Sequence, residues 1–175
     1  MLVSGELING VELHSLTEKI DSRGSFTEIF QKYWDSCINP VQWSVVKSEP
    51  NVFRGMHYHN RHDEYFCLIS GKCLVGLKDL RKESNTYDCY SLYDLNYQDT
   101  AALTFPKGIL HGWYFYEKSI HIQAVSESYE DYNKDDNLGC KWNDKDLGIP
   151  WPFDDAIVSE RAGNFLTYKN FLDHL

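Results

Sequence analysis

The stretch Arg54-Gly55-Met56-His57-Tyr58-His59-Asn60-Arg61-His62-Asp63-Glu64 decides how this 175-residue chain is read. It sets two histidines at i and i+2, places Glu64 after them, and leads on to Gly71. Side chains alternate faces along a β-strand, so His57 and His59 are expected to point into one cavity. Much later, Pro106-Lys107-Gly108-Ile109-Leu110-His111 offers a third histidine on a neighbouring strand. Three imidazoles and a carboxylate converging inside a β-structure make a site.

Outward from that stretch the chain reads as strands punctuated by turn residues. Residues 41–47 and 52–59 are strands on either side of Glu49-Pro50-Asn51, and residues 64–69 and 73–80 read as a hairpin around Ser70-Gly71-Lys72. Residues 91–93, 101–105, 112–116 and 120–126 continue the pattern, and residues 1–13 supply one or two short strands. After the turn Asp21-Ser22-Arg23-Gly24, residues 25–30 alternate, with Phe26, Glu28 and Phe30 on one face. Residues 129–146 are polar and loop-like, and only residues 164–175 have apolar spacing suited to a short helix. Many short strands without helical periodicity predict an all-β sandwich or barrel, a single domain over residues 1–175.

Composition fits a folded domain: 42% hydrophobic and 15% aromatic residues are too many for a disordered chain. A formal charge of −9 with no basic stripe argues against a nucleic-acid partner. No apolar run approaches the roughly 18 residues of a membrane span, and the N-terminus lacks a signal-peptide pattern. The five cysteines (Cys37, Cys67, Cys73, Cys89, Cys140) show no CxxC spacing, and Cys67 and Cys73 are expected to pack as small hydrophobes. A cytoplasmic location with reduced thiols is expected.

His57, His59, Glu64 and Gly71, followed by Pro106, Gly108 and His111, resemble both motifs of the cupin superfamily. A narrower resemblance covers nearly the whole chain. Asp21-Ser22-Arg23-Gly24-Ser25-Phe26-Thr27-Glu28, Arg54-Gly55-Met56-His57-Tyr58 and Pro106-Lys107-Gly108-Ile109-Leu110-His111-Gly112 are similar to signatures of the dTDP-4-dehydrorhamnose 3,5-epimerase family. Lys141-Trp142-Asn143-Asp144, the run from Leu147 to Pro152, and Ser159-Glu160 resemble its C-terminal elements.

The resemblance implies a cupin double-stranded β-helix, or jelly roll, acting as a homodimer on a nucleotide-linked 4-keto-6-deoxy sugar. Such chemistry serves surface polysaccharide or other deoxysugar assembly and requires no cofactor. It implies that His57 is the general base, with His111 as the second catalytic histidine, and that Arg23, Phe26, Glu28, Gln42 and Arg54 contact substrate. It also implies an N-terminal strand that crosses to the partner subunit. A carbon acid beside a ketone needs a base within hydrogen-bond reach, a task suited to neutral imidazole. Arginine at position 54 suits bidentate diphosphate binding.

Three positions depart from the family pattern. Glu64 stands where the epimerases carry a lysine, Ala124 falls within a residue of their tyrosine acid, and Ala162 replaces the aspartate that pairs with the base. Two resolutions stay open. In one, a divalent metal (Zn, Fe, Mn or Ni) held by His57, His59, Glu64 and His111 supplies positive charge. In the other no metal binds, His59 pairs with Glu64, and His57 performs a reduced task with Tyr58, Tyr65, Tyr114 or Tyr129 as the acid. The rival functions are a metal-dependent cupin enzyme acting on another small molecule and a catalytically silent sugar-binding cupin. His62 is expected to be solvated in its polar turn, while His121 is left open between cavity and solvent.

Overall fold

The computed structural model describes residues 1–34, 36, 38–99, 101–132 and 136–175, the Tyr132 side chain excepted, so Cys37 lies outside the described residues. One sheet runs in the order β1 (Leu2–Gly5), β9 (Tyr90–Asn96), β8 (Lys72–Asp79), β11 (Ile109–Phe115), β6 (Val52–Tyr58) and β13 (Leu138–Gly139). The second runs β2 (Glu12–Ser15), β10 (Ala101–Phe105), β7 (Glu64–Ser70), β12 (Ser119–Val125) and β5 (Gln42–Ser48). A separate hairpin joins β3 (Glu18–Asp21) to β4 (Gly24–Thr27). Pairing within both sheets is antiparallel, as in the expected all-β jelly roll.

Alternation along the strands builds three apolar layers. Phe66, Leu68, Val75, Leu77, Leu103, Phe105, Trp113 and Phe115 form the core that includes residues of both sheets. On the outer side of the six-stranded sheet, Phe53, Met56, Tyr58 and Leu74 pack against Trp142, Leu147, Tyr168 and Phe171 from the C-terminal region. On the other sheet Tyr65, Cys67, Ala102 and Ala124 are covered by Ile29, Phe30, Trp34 and Ile38. Cys67 and Cys73 are buried among apolar side chains, as their sequence context predicts.

Two local expectations are corrected. β7 and β8 do not pair as a hairpin; they lie in different sheets, and the chain crosses between them at Gly71. Gly71 has φ of +93°, and a Cβ there would stand 2.1 Å from Ser119 Oγ, so this crossing requires glycine. Both strands are covered on both faces, so their alternation carries no instruction to pair with each other. The C-terminal helix is also shorter than expected: α3 spans Tyr168–Leu172, with Thr167 Oγ1 accepting from the Asn170 amide as its cap. Short helices α1 (Tyr129–Tyr132) and α2 (Glu160–Gly163) were not legible in the pattern.

His121, which the sequence left open, is fully buried, its ring stacked 4.6 Å from Phe66 and 5.4 Å from Phe115. Burial, reinforced by nearby Arg54 and partly offset by Gln123, pushes its pKa down to about 3. The folded state therefore keeps His121 neutral while an unfolded chain protonates it below its ordinary value of 6.5. Folding stability is thus lost as pH falls through that window, at up to about 1.4 kcal/mol per pH unit for this one group. His121→Phe should remove this contribution and flatten the slope of urea-unfolding stability between about pH 6 and pH 4 by roughly one proton. An unchanged slope would show that His121 is not held neutral.

Candidate active site

Arg54 and His57 are three residues apart on one strand, so simple alternation would put them on opposite faces. They nevertheless line the same cleft. The cause is a bulge: His57 pairs with His111 while Arg54 pairs with Trp113, so β6 carries an extra residue against β11. The bulge sits at Gly55-Met56, where Gly55 has φ of +141° and a Cβ would lie 2.6 Å from Gly112 Cα. Glycine on both strands allows the backbones to meet there. Met56 and Tyr58 consequently turn outward into the C-terminal layer, and His57 turns inward.

The cleft encloses about 470 Å³ between Arg54, His57, Trp113 and Gln123 on the sheets and Ile157, Ser159, Arg161 and Ala162 on the C-terminal wall. That wall is fastened to β6 by two backbone hydrogen bonds, Phe53 N to Ile157 O at 2.9 Å and Ile157 N to Asn51 O at 2.7 Å. Ser159 Oγ caps α2 by accepting from the Ala162 amide at 3.2 Å. The Arg54 guanidinium is oriented by Ser48 Oγ at 2.9 Å and the Lys47 carbonyl at 3.1 Å. Arg161 lies over the Phe165 ring, 5.3 Å from its centroid.

His57 is half-buried, with its ring 5.9 Å from His111 and 6.1 Å from Phe165. Burial, then the neighbouring His59, Arg161 and Arg54, lowers its pKa to about 3. His57 is therefore a neutral imidazole near pH 7, with a lower affinity for a proton than an exposed imidazole has. The alanine at position 162 stands in the same cleft and gives this imidazole no carboxylate partner.

The remaining site residues fall in three places. Arg23, Phe26 and Glu28 lie on or beside the β3–β4 hairpin, exposed and away from the cleft of their own chain. Arg23 is paired with Asp21 at 2.6 Å, Phe26 is 61% exposed, and Glu28 accepts from Gln31 at 2.9 Å. Gln42 is also outside the cleft wall; its Oε1 accepts from the Tyr129 amide at 2.9 Å. His59, Glu64 and His111 are buried behind His57, with ligand-type atoms within 4.8 Å of one another.

Three expectations are thereby corrected. His57 is in neither of the two groups whose donor atoms converge at ligand distances, so the set His57, His59, Glu64, His111 does not close around one ion. His111 is buried and does not line the cleft; its Nδ1 is turned to the Ile109 carbonyl at 3.0 Å. His62 is not solvated but fully buried, its Nδ1 3.0 Å from Asp136 Oδ2. Asp136, in a stretch read as polar loop, gave no sequence signal, and neither did the cleft residue Arg161.

The departures from the family pattern also find their places. Ala124 faces the outer layer with Tyr65 and Cys67, and the neighbouring Gln123 is the residue of β12 that lines the cleft. None of the tyrosines considered as a replacement acid lines it; Tyr65 and Tyr114 donate to Ile29 O and Asn51 Oδ1. Glu64 does not project into the cleft. Its Oε2 accepts from Gln123 at 3.2 Å and its Oε1 faces the buried histidines, away from the reacting space.

The jelly roll thus holds a neutral imidazole and two guanidinium groups in one cleft, a base beside an anion-binding surface. The sequence matches the dTDP-4-dehydrorhamnose 3,5-epimerase family over residues 6–170, and the chain belongs to that family. It shares 30% identity over 154 residues with dTDP-4-dehydrorhamnose 3,5-epimerase of Shigella flexneri, covering 82% of this chain and 83% of the relative. Spore coat polysaccharide biosynthesis protein SpsL of Bacillus subtilis is 29% identical, over 83% of this chain and 97% of that one. The solved dTDP-4-dehydrorhamnose 3,5-epimerase of Bacillus anthracis, with TDP and pyrophosphate bound, has a TM-score of 0.81 at 29% identity, covering 90% and 93% of the two chains. The chain is accordingly an isomerase of the sugar-epimerase class, in deoxysugar and polysaccharide biosynthesis. Membership of this family by itself calls for no cofactor.

Proposed function

We propose that this protein epimerises a nucleotide-linked 4-keto-6-deoxyhexose, with His57 removing the proton from the carbon beside the ketone. The observation that carries the reading is the placing of His57, neutral and inward, in one cleft with Arg54 and Arg161. A neutral imidazole can take the proton, and two cations can hold the diphosphate and so keep the attached sugar in register with the base. Binding of TDP and pyrophosphate by the similar Bacillus anthracis protein supports a nucleotide-sugar substrate. With no tyrosine in the cleft wall among the described residues, a water molecule protonates the opposite face of the carbon, and the hydroxide it leaves takes the proton held by His57.

The functional unit in this reading is a cytoplasmic homodimer with exchange of the β3–β4 arm. Ile20 and Phe26 on the arm are 76% and 61% exposed, and Val41, Trp43 and Val45 on and beside edge strand β5 are also uncovered. Burying these residues against a second copy removes apolar surface from water. The same docking carries Arg23, Phe26 and Glu28 into the partner's cleft, which accounts for their distance from their own. Among the described residues no helix is long and apolar enough to cross a membrane.

Incubation with dTDP-4-keto-6-deoxyglucose in heavy water tests the reading. Deuterium should enter the sugar at a carbon flanking the ketone. A sugar that stays unlabelled while its nucleotide is bound would establish the catalytically silent binder instead.

A further inference from the structure

The two sheets face each other across the cleft, and each brings a different kind of group to it. Ile122 and Ala124 pack in the outer layer of the five-stranded sheet, so alternation turns Gln123 inward, as it does His121. Among the described residues, Val46 and Gln123 are what that sheet contributes to the cleft wall, while His57 on β6 comes from the other sheet. Base and carboxamide therefore approach the same space from opposite walls. No tyrosine, carboxylic acid or lysine is among the described residues of the wall. Ser159 lies on the C-terminal side, where its Oγ accepts from the Ala162 amide at 3.2 Å.

The Gln123 carboxamide is held in one orientation. Glu64 on the adjacent strand β7 pairs with Val125, which makes its side chain a diagonal neighbour of Gln123. Gln123 Nε2 donates to Glu64 Oε2 at 3.2 Å, and Glu64 itself is buried. A carboxylate can only accept, so it keeps the amide nitrogen on its own side. Gln123 also acts on His121, where it offsets part of the effect of burial. One N–H is engaged by Glu64, and the amide nitrogen carries a second. A half-buried carboxamide fixed by a buried carboxylate has its orientation before any ligand arrives, the condition for a preorganised contact.

Inversion differs from simple exchange in that the proton leaves one face of the carbon and another arrives on the opposite face. The return needs a donor away from His57. A carboxamide does not ionise near pH 7, so Gln123 is not that donor, but it can hold a water molecule that is. We propose that Gln123, oriented by Glu64, positions the water that protonates the sugar carbon on the face opposite His57, its second N–H donating to the water oxygen. The inference rests on the epimerase reading and assigns its stereochemical step. First the C–H bond breaks, its proton passing to His57 and its electron pair into the enolate. The enolate carbon then takes a hydrogen of the water, and the hydroxide left behind takes the proton held by His57, restoring water and neutral imidazole. The Gln123 N–H steadies the negative charge that develops on the water oxygen. Gln123 is thus a positioning residue that acts through the water, and Glu64 acts through Gln123.

The test follows dTDP-4-keto-6-deoxyglucose in heavy water by NMR and compares initial rates of deuterium entry with and without inversion. Wild type should place deuterium mainly in inverted sugar. Gln123→Leu should lower the ratio of inverted to uninverted labelled sugar by about 10–150-fold, the effect of one hydrogen bond to a charged group. In that variant His57 still removes the proton and, after exchange with solvent, returns deuterium to the same face. Gln123→Met, which also lacks the amide, serves if the leucine variant does not fold, and retained dTDP binding by either shows an intact cleft. An unchanged ratio overturns the proposal and leaves His57 standing as the base; a mere packing defect gives this result, because it lowers both rates together. A wild-type chain that takes up no deuterium overturns the epimerase reading itself, and this step with it.

Discussion

His57→Asn is expected to lower sugar epimerisation by about 10²–10⁴-fold, the usual contribution of a positioned general base. Asparagine nearly preserves the shape of the imidazole but cannot take a proton near neutral pH. The loss should appear in kcat, because the base acts on the reacting carbon and the diphosphate is held elsewhere. Affinity for dTDP, measured by calorimetry, should stay within about threefold of wild type, since no charged diphosphate contact is removed. His57 has no ion pair among the described residues, so the substitution breaks no buried network. A variant of undiminished rate would require another base in a cleft whose wall otherwise offers Gln123, Ser159 and arginines.

Arg54→Leu should weaken dTDP binding by roughly 10–150-fold, corresponding to about 1.5–3 kcal/mol for a lost charge-assisted hydrogen bond. Arg54 enters the cleft from the bulged strand, its guanidinium already oriented by Ser48 and the Lys47 carbonyl. Little ordering entropy remains for the ligand to overcome. Arg54→Lys separates charge from geometry: lysine retains the cation but not the planar fork. Partial recovery of affinity is therefore expected in the lysine variant. Equal dTDP affinity in wild type and both variants would remove Arg54 from the binding site.

The strands were legible because most alternate with period two and are bounded by glycine, proline or polar turns. The two histidine motifs located the inward-facing cluster for the same reason. Where the reading failed, alternation had nothing to report. β7 and β8 are covered on both faces, so their sequence cannot distinguish a hairpin from a crossing between sheets. The bulge at Gly55-Met56 breaks the period locally and brings Arg54 and His57 to one face, which a regular strand forbids. His62 looked solvated because its neighbours in sequence are polar. Its burial depends on Asp136, far along the chain in a segment without periodicity, and such a loop-to-loop contact leaves no local trace. Arg23, Phe26 and Glu28 could be named by resemblance, but their role depends on a surface that a single chain does not complete.

The central claim is that a proton leaves a sugar carbon at His57. Its most direct test is position-resolved NMR of dTDP-4-keto-6-deoxyglucose after incubation in heavy water with wild type and His57→Asn in parallel. The account predicts deuterium at C3 or C5 with the wild-type enzyme and, with the variant, labelling slowed by about 10²-fold or more. Equal labelling by the two proteins would contradict it, as would none from a wild-type chain that binds the nucleotide sugar.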